Sequence, residues 1–360
     1  LDLFSGGALL RFTVFAMGVG PYITSSIVMQ LLQAVIPSLE EMAKSGVEGR
    51  RKLAEWTRYA AIGLAVIQGT AITFGIRGAL MDPSPISVLL IIITLTAGTA
   101  FLMWLGEKIS ESGIGNGISL IIFTGIIARM PGTIRSLITS VGQGGVGIAS
   151  ASLYVVVSLI SIVVVIMITL ANRRIPVQYA KRVVGRKIYG GQSTHIPLGV
   201  NQAGVIPVIF ASSLLAFPAT VAQFVPRFAF MAEWLRGDSI SYMVIYSALI
   251  IGFTYFYTAM TFDVVEVSNN LKKYGGFIPG IRPGRPTVEY LERILSRLTL
   301  VGGLFLAIIA VLPNIMTNIT KLSGVSFGGT ALLIMVGVAL DTMKQIEAQL
   351  LMRQYEGFMK

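Results

Sequence analysis

The chain has 360 residues, of which 54% are hydrophobic and only 12% charged, and its mean hydropathy is +0.77. Soluble domains carry about twice that charged fraction, so too little polar surface remains to face water, and an all-α membrane protein is the first reading. The lack of cysteine and the single histidine, His195, exclude a disulfide framework, thiol chemistry and a His-rich metal site; the net charge of +11 would suggest nucleic acid in a soluble chain, but here it sits in loops between apolar runs.

A helix needs about 20 apolar residues to cross the hydrocarbon core. Nine runs are candidates: 12–36, 59–76, 86–105, 118–130, 149–171, 200–224, 240–262, 298–316 and 327–343. The fourth is short, and by itself reads equally as a re-entrant or buried helix. The first is broken by Gly18, Gly20 and Pro21, and the sixth by Pro207 and Pro218. Such breaks are tolerated only where protein or a cavity satisfies the freed backbone groups.

Of the 28 Lys and Arg, 21 fall in one alternating set of connections, 37–58, 106–117, 172–199, 263–297 and 344–360. Six lie in or at the edge of the opposite set, and Arg11 precedes the first run. This asymmetry predicts a cytoplasmic C-terminus and an outside Leu1. A positively charged leader before an apolar core is absent at Leu1. One further N-terminal span is therefore expected ahead of the first run, for about ten in the intact protein.

Two of the basic connections carry internal structure. In 173–198 the alternation of Ile175, Val177 and Tyr179, then of Val183, Ile188 and Tyr189, predicts a hairpin with Gly185 near its turn. In 269–290 Gly and Pro predict a series of tight turns. Two roles stay open for these loops: anchoring to lipid headgroups, or docking of a large anionic partner such as a ribosome. Contact with RNA by such a loop is electrostatic and carries little sequence specificity.

No catalytic constellation is visible, and no cofactor or metal is expected. The glycines of "GIGNGIS" (113–119) lack a preceding strand and read as a tight loop entering a short helix. "GQGGVG" (142–147) reads as an external loop, and His195 as a structural hydrogen-bonding residue. The spans hold almost no ionisable group, whereas ion-coupled transporters place such groups near the midplane. They hold instead Thr24, Ser25, Ser26, Gln30, Gln68, Asn201, Gln202, Ser212 and Ser213. Helix–helix hydrogen bonding accounts for most of these, but not for polar groups beside two broken spans, one in each half. Val19 and Ile23 in the first run, Ile206 and Ile209 in the sixth, Ile122 in the fourth and Ile334 in the ninth are branched aliphatics. They read either as ordinary core or as a narrow apolar constriction of the kind that blocks ions without charge.

Seven stretches, taken in order, resemble the SecY family of protein-translocation channel subunits: 4–32, 48–59, 98–119, 178–198, 201–220, 269–287 and 327–341. The resemblance implies a ten-helix channel of two pseudo-symmetric halves, here 1–171 and 200–360 with its basic loop 263–297, joined by the basic loop 172–199. It implies a pore ring of Val19, Ile23, Ile122, Ile209 and Ile334, and a plug that includes Leu3, Phe4, Gly6, Gly7 and Leu10. A lateral gate would set Thr24, Ser26 and Ile27, with Gln68 nearby, against Asn201, Phe210 and Phe217. Arg186, Lys187, Lys272, Lys273, Arg282 and Arg285 would dock the motor SecA or the ribosome. Further implied partners are SecE and SecG, signal peptides and nascent chains as substrate, and membrane lipids, in a bacterial cytoplasmic membrane. The sequence departs from the family pattern in four places, the first being that the family's first transmembrane helix is missing, with nine spans expected here. The residues usual before the Arg173–Arg174 pair are missing, so a short gap is expected at 172–173. "DVVEV" (263–267) stands where Asn-Pro is usual, and Gly199 replaces a lysine. An inverted-repeat secondary transporter is the alternative, and a membrane-embedded enzyme a third class that the missing His, Cys and acid clusters disfavour.

Overall fold

Each of the nine predicted runs contains a helix. The protein is described by a computed structural model over residues 8, 12–76, 78, 80, 82, 84–142, 147–179, 182–184, 187–189, 193–224, 239–320 and 329–358. In chain order the helices are α1 (Gly20–Val35), α2 (Pro37–Lys44), α3 (Val47–Gly75), α4 (Pro85–Ser112), α5 (Gly117–Gly142), α6 (Ile148–Leu170), α7 (Ile206–Phe224), α8 (Ile240–Thr261), α9 (Val264–Lys273), α10 (Arg285–Thr320) and α11 (Gly329–Phe358). Among the described residues, α4, α5, α6, α8, α10 and α11 are long and apolar enough to cross a membrane. The bent pair α1–α2, which turns through 103°, adds a seventh span if counted as one.

The short fourth run is a fragment of a longer helix. α5 continues through Pro131 to Gly142, because the polar residues after Met130 end the apolar run without ending the helical pattern. The loop before it is tight, as its glycines predict. Gly115 has φ +87°, Asn116 Oδ1 accepts from the Ser119 amide at 3.1 Å, and Ser110 Oγ on α4 accepts from the Gly117 amide at 2.8 Å. That last bond ties the start of α5 to the end of α4.

The two broken runs share a local design. In "GVGP", Gly18 takes φ +55° and α1 starts two residues later with Pro21 in its first turn. In "GVIP", Gly204 takes φ +62° and α7 starts two residues later, with Pro207 as its second residue. Glycine is needed where φ is positive, and proline is tolerated in a helix's first turn, where its missing N–H would be unpaired anyway. These prolines therefore initiate helices rather than kink them, and 12–19 forms turns ahead of α1 instead of a membrane helix. Ala16 and Met17 from those turns are buried against Ala65 and Ile72 of α3 and Leu95 of α4.

The two basic loops fold together as one unit. Strand β1 (Asn172–Tyr179) follows α6 directly and pairs antiparallel with β4 (Ser193–Gly199), while β2 (Arg182–Val184) pairs antiparallel with β3 (Lys187–Tyr189), and Gly185, expected near the turn, lies outside the described residues. The predicted alternation holds: Ile175 and Val177 are buried and their neighbours exposed. His195 is exposed on β4 opposite Pro176. The other edge of β1 pairs with β5 (Gly276–Phe277) from the second basic loop, through Gln178–Phe277 and Tyr179–Gly276. A side chain at position 276 would press on the Tyr179 ring and Leu271, so glycine permits the pairing. One apolar cluster, including Ile175, Val177, Leu198, Leu271, Ile278, Leu291 and Leu295, lies under both loops.

The second loop holds more helix than its Gly and Pro suggest. Asp263 caps α9 by accepting from the Glu266 amide at 2.9 Å, a start signal typical of an N-cap carboxylate. Turns at Gly275, Gly280 and Gly284 follow, all with positive φ, and α10 begins at Arg285, well ahead of its apolar stretch. Leu291 lies in that early part with no exposed surface. Leu291→Ala is expected to destabilise this basic-loop unit by about 2–5 kcal/mol, read as faster amide exchange in β1 and β5 with the membrane helices unchanged.

Candidate functional site: an apolar constriction between the two broken helices

All five predicted ring residues meet. Val19 just ahead of α1, Ile23 on α1, Ile122 on α5, Ile209 on α7 and Ile334 on α11 belong to one buried cluster. Val19 and Ile334 are 1% and 0% exposed. Burying each such side chain contributes about 1.5–3 kcal/mol. The placement follows from the helix starts described above: Val19 and Ile23 stand one and five residues after Gly18, and Val205 and Ile209 stand one and five residues after Gly204. Val205 packs against the cluster, and Ile126, one turn beyond Ile122, is buried within it. Sequence reasoning missed both. The repeat of "GVGP" in "GVIP" could have found Val205, and helical spacing from Ile122 could have found Ile126.

The predicted gate residues flank the same cluster. α1 and α7 touch one another, and α3 touches α7. Ile27 and Phe210 are buried in the cluster. Phe210 also meets the rings of Phe253 and Tyr257 on α8 edge-on, with centroids 5.8 and 6.5 Å away. Thr24 and Ser26 are half-buried; the Thr24 hydroxyl donates to the Gly20 carbonyl at 3.1 Å, and Gln30 Nε2 donates to Ser26 Oγ at 3.2 Å. Gln68 on α3 is half-buried. Asn201 precedes α7 in a turn, and its Oδ1 is buried without a hydrogen-bond partner. Phe217 lies on α7, and its side chain is outside the described residues. The neutral polar residues away from this seam join helices, as expected: Ser25 Oγ on α1 donates to the Thr57 carbonyl on α3 at 2.8 Å.

On one side of the cluster lies a cavity of about 370 Å³, whose apolar end is formed by Ile23, Ile122, Ile209 and Phe210. Its other end is polar, with Tyr22, Gln30 and Asn116 beside an ion pair between Arg58 of α3 and Glu107 of α4, at 2.6 Å. The pair braces two helices of the N-terminal part.

The candidate docking residues that are described sit on the unit formed by the two basic loops. Lys272 and Lys273 are exposed in the last turn of α9. Arg282 is exposed between the Gly280 and Gly284 turns, and its carbonyl accepts from the Thr287 hydroxyl at 3.0 Å. Arg285 projects into solvent and meets Glu289 at 3.3 Å. Lys187 is on β3 with its side chain outside the described residues, and Arg186 lies outside them altogether. The plug residues Leu3, Phe4, Gly6, Gly7 and Leu10 also lie outside the described residues.

The family profile of SecY matches residues 13–343. The chain belongs to the SecY family. It is 52% identical to the protein translocase subunit SecY of Halalkalibacterium halodurans, over 100% of this chain and 87% of that one. Among solved structures, a SecY whose plug domain stabilises the closed state of its translocation channel superposes with a TM-score of 0.71 at 22% identity, over 95% of this chain and 85% of that one. The Sec61 channel of the canine ribosome-channel complex gives 0.65 at 21% identity, over 93% and 81%. The last two likenesses concern the fold.

Phe210→Ala is expected to lower the stability of the detergent-solubilised chain by about 3–5 kcal/mol, since it removes buried surface and two edge-on ring contacts at once. The drop would be read as an earlier thermal or denaturant transition.

Proposed function

We propose that this chain is the pore subunit of a protein-translocation channel in the bacterial cytoplasmic membrane, with its C-terminus in the cytoplasm. Unfolded polypeptide passes through the aliphatic constriction, and apolar segments leave sideways between α1 and α7. The convergence of Val19, Ile23, Ile122, Ile209 and Ile334 from four parts of the fold carries this reading. A passing chain presents every kind of side chain in turn. Dispersion contacts are non-directional, so a ring of branched aliphatics closes around any of them, and when empty it excludes ions by dewetting. No step needs a bond made or broken, and the chain acts as a conduit rather than an enzyme.

In the same reading the halves 1–171 and 200–360 move against each other, the segment around Leu3–Leu10 plugs the outer side, and Thr24, Ser26, Ile27, Gln68, Asn201, Phe210 and Phe217 line the gate. The sheet that joins the two basic loops supports a common landing surface for a motor ATPase of the SecA type or for a ribosome, through Arg186, Lys187, Lys272, Lys273, Arg282 and Arg285. SecE and SecG are the proposed companion subunits, and signal peptides with the chains behind them the substrate.

Two experiments test this. Replacing Ile23, Ile209 and Ile334 by glycine is expected to raise the ion conductance of purified channel in planar bilayers at least tenfold, a loss of about 1.4 kcal/mol or more from the barrier; unchanged conductance removes the ring from the pore. Arg282→Glu is expected to abolish motor-driven precursor transport while the variant still inserts into membranes in normal amount. Normal transport by that variant ends the docking role.

A further inference from the structure

A second, larger cavity of about 780 Å³ opens between the two parts of the chain at the cytoplasmic end of α1. One wall is α1 and α2, with Ala34, Glu40 and Lys44; the facing wall is the corner between α8 and α9, with Ala259 and Asp263. α2 is set crosswise here by its 103° bend from α1, and Leu39 holds it down by packing on Met29 and Leu53. The cleft therefore has Lys44 on one wall and Asp263 on the other.

Lys44 Nζ lies 2.6 Å from Glu40 Oε1 on its own helix, and both side chains are mostly exposed, at 72% and 54%. Such a pair is weak and readily exchanged. Asp263 is anchored as the cap of α9 through the Glu266 amide, and a carboxylate that accepts one amide keeps further acceptor sites free. The Lys44 ammonium is favoured first by its hydrogen bond and charge contact with Glu40, and further by Asp263 and Glu266 across the cleft, so its pKa is raised. Arg50 and Glu292 complete the charged lining. Asp263 belongs to the "DVVEV" segment, where this sequence departs from the pattern that the family resemblance leads one to expect.

We infer that Lys44 is a latch between the two halves: it exchanges between Glu40 on its own helix and Asp263 across the cleft, and the second pairing draws the cytoplasmic ends of α1 and α8 together. A flexible four-carbon arm carrying a compact charge suits such an exchange better than a planar guanidinium. The inference rests on the channel reading in taking this cleft as the cytoplasmic mouth of the gate. Lys44 paired with Glu40 leaves the mouth open, and Lys44 paired with Asp263 closes it.

The chain has no cysteine, so Ala34→Cys with Ala259→Cys supplies the sole two thiols, one on each wall. The test is the rate at which a short bis-maleimide joins them in membranes containing the intact channel with no substrate engaged. Glu40→Gln is expected to raise that rate about two- to five-fold and Asp263→Asn to lower it similarly, the range open to an exposed ion pair. The reciprocal pair Lys44→Asp with Asp263→Lys restores the rate to the native value or above. All differences vanish in about 1 M salt, where charges are screened within about 3 Å. Equal rates in all variants at low salt, or a reciprocal pair no faster than Asp263→Asn alone, overturn the latch. Precursor transport measured on the same membranes separates the two claims. Equal cross-linking with normal transport removes the latch and keeps the channel, whereas a native chain that transports nothing removes the channel reading whatever the cross-linking shows.

Discussion

A backbone in hydrocarbon has to satisfy its own hydrogen bonds, and the rest of this structure depends on where that rule is suspended. Among the described residues it is suspended at the turns around Gly18 and Gly204 that precede α1 and α7. The first is buried in protein and the second half-buried, and each delivers branched aliphatics to a single cluster. A continuous helix at either place would have no irregular backbone to enclose. The breaks and the constriction are thus two sides of one requirement. The chain needs unwound segments in order to surround a passage, and only a packed centre can shelter them.

The cluster uses α5 and α11 to complete the enclosure. Ile122 and Ile126 arrive one turn apart because the tight Gly113–Gly117 loop and the Ser110–Gly117 hydrogen bond set the start of α5 against α4. Ile334, fully buried, arrives from α11. Charge is kept away from this centre. The Arg58–Glu107 pair lies in the lining of the adjoining cavity. There it does structural work between α3 and α4, in a solvated vestibule where two charges need no deep desolvation.

The sequence made the helices legible because apolar runs are long-range averages, and each of the nine held a helix. It made the 173–198 hairpin legible because β pairing there is local and alternation has a period of two. It did not reveal that the two basic loops share a sheet. β1 and β5 lie about a hundred residues apart in the chain, and the two-residue strand Gly276–Phe277 carries no periodic signal of its own. α9 was hidden by the glycines and prolines downstream of it, although the Asp263 cap announces it. Pro21 and Pro207 read as breaks in the middle of spans, yet each begins a helix. A proline marks a boundary without saying on which side of it the helix lies. At the site, Val19, Ile23, Ile122, Ile209 and Ile334 were no different from core aliphatics by periodicity. Resemblance singled them out, and the fold brought them together along with Val205 and Ile126.

The division between apolar centre and charged rim also explains why the two regions can do different things. Contacts in the aliphatic cluster are numerous, short-ranged and indifferent to salt, so in the proposed channel the cluster would seal whatever the ionic conditions. Contacts at the larger cleft, where Lys44, Glu40 and Asp263 line the walls, are few, exposed and screened. They cannot hold the halves shut against a strongly bound segment, and a channel that must open for each substrate is better served by that weakness. A buried ion pair at the same place would resist opening by several kcal/mol and leave unpaired charge behind when broken. In the proposed channel, weak polar contacts at the mouth over a strong apolar cluster at the waist would let entry be adjusted without disturbing closure.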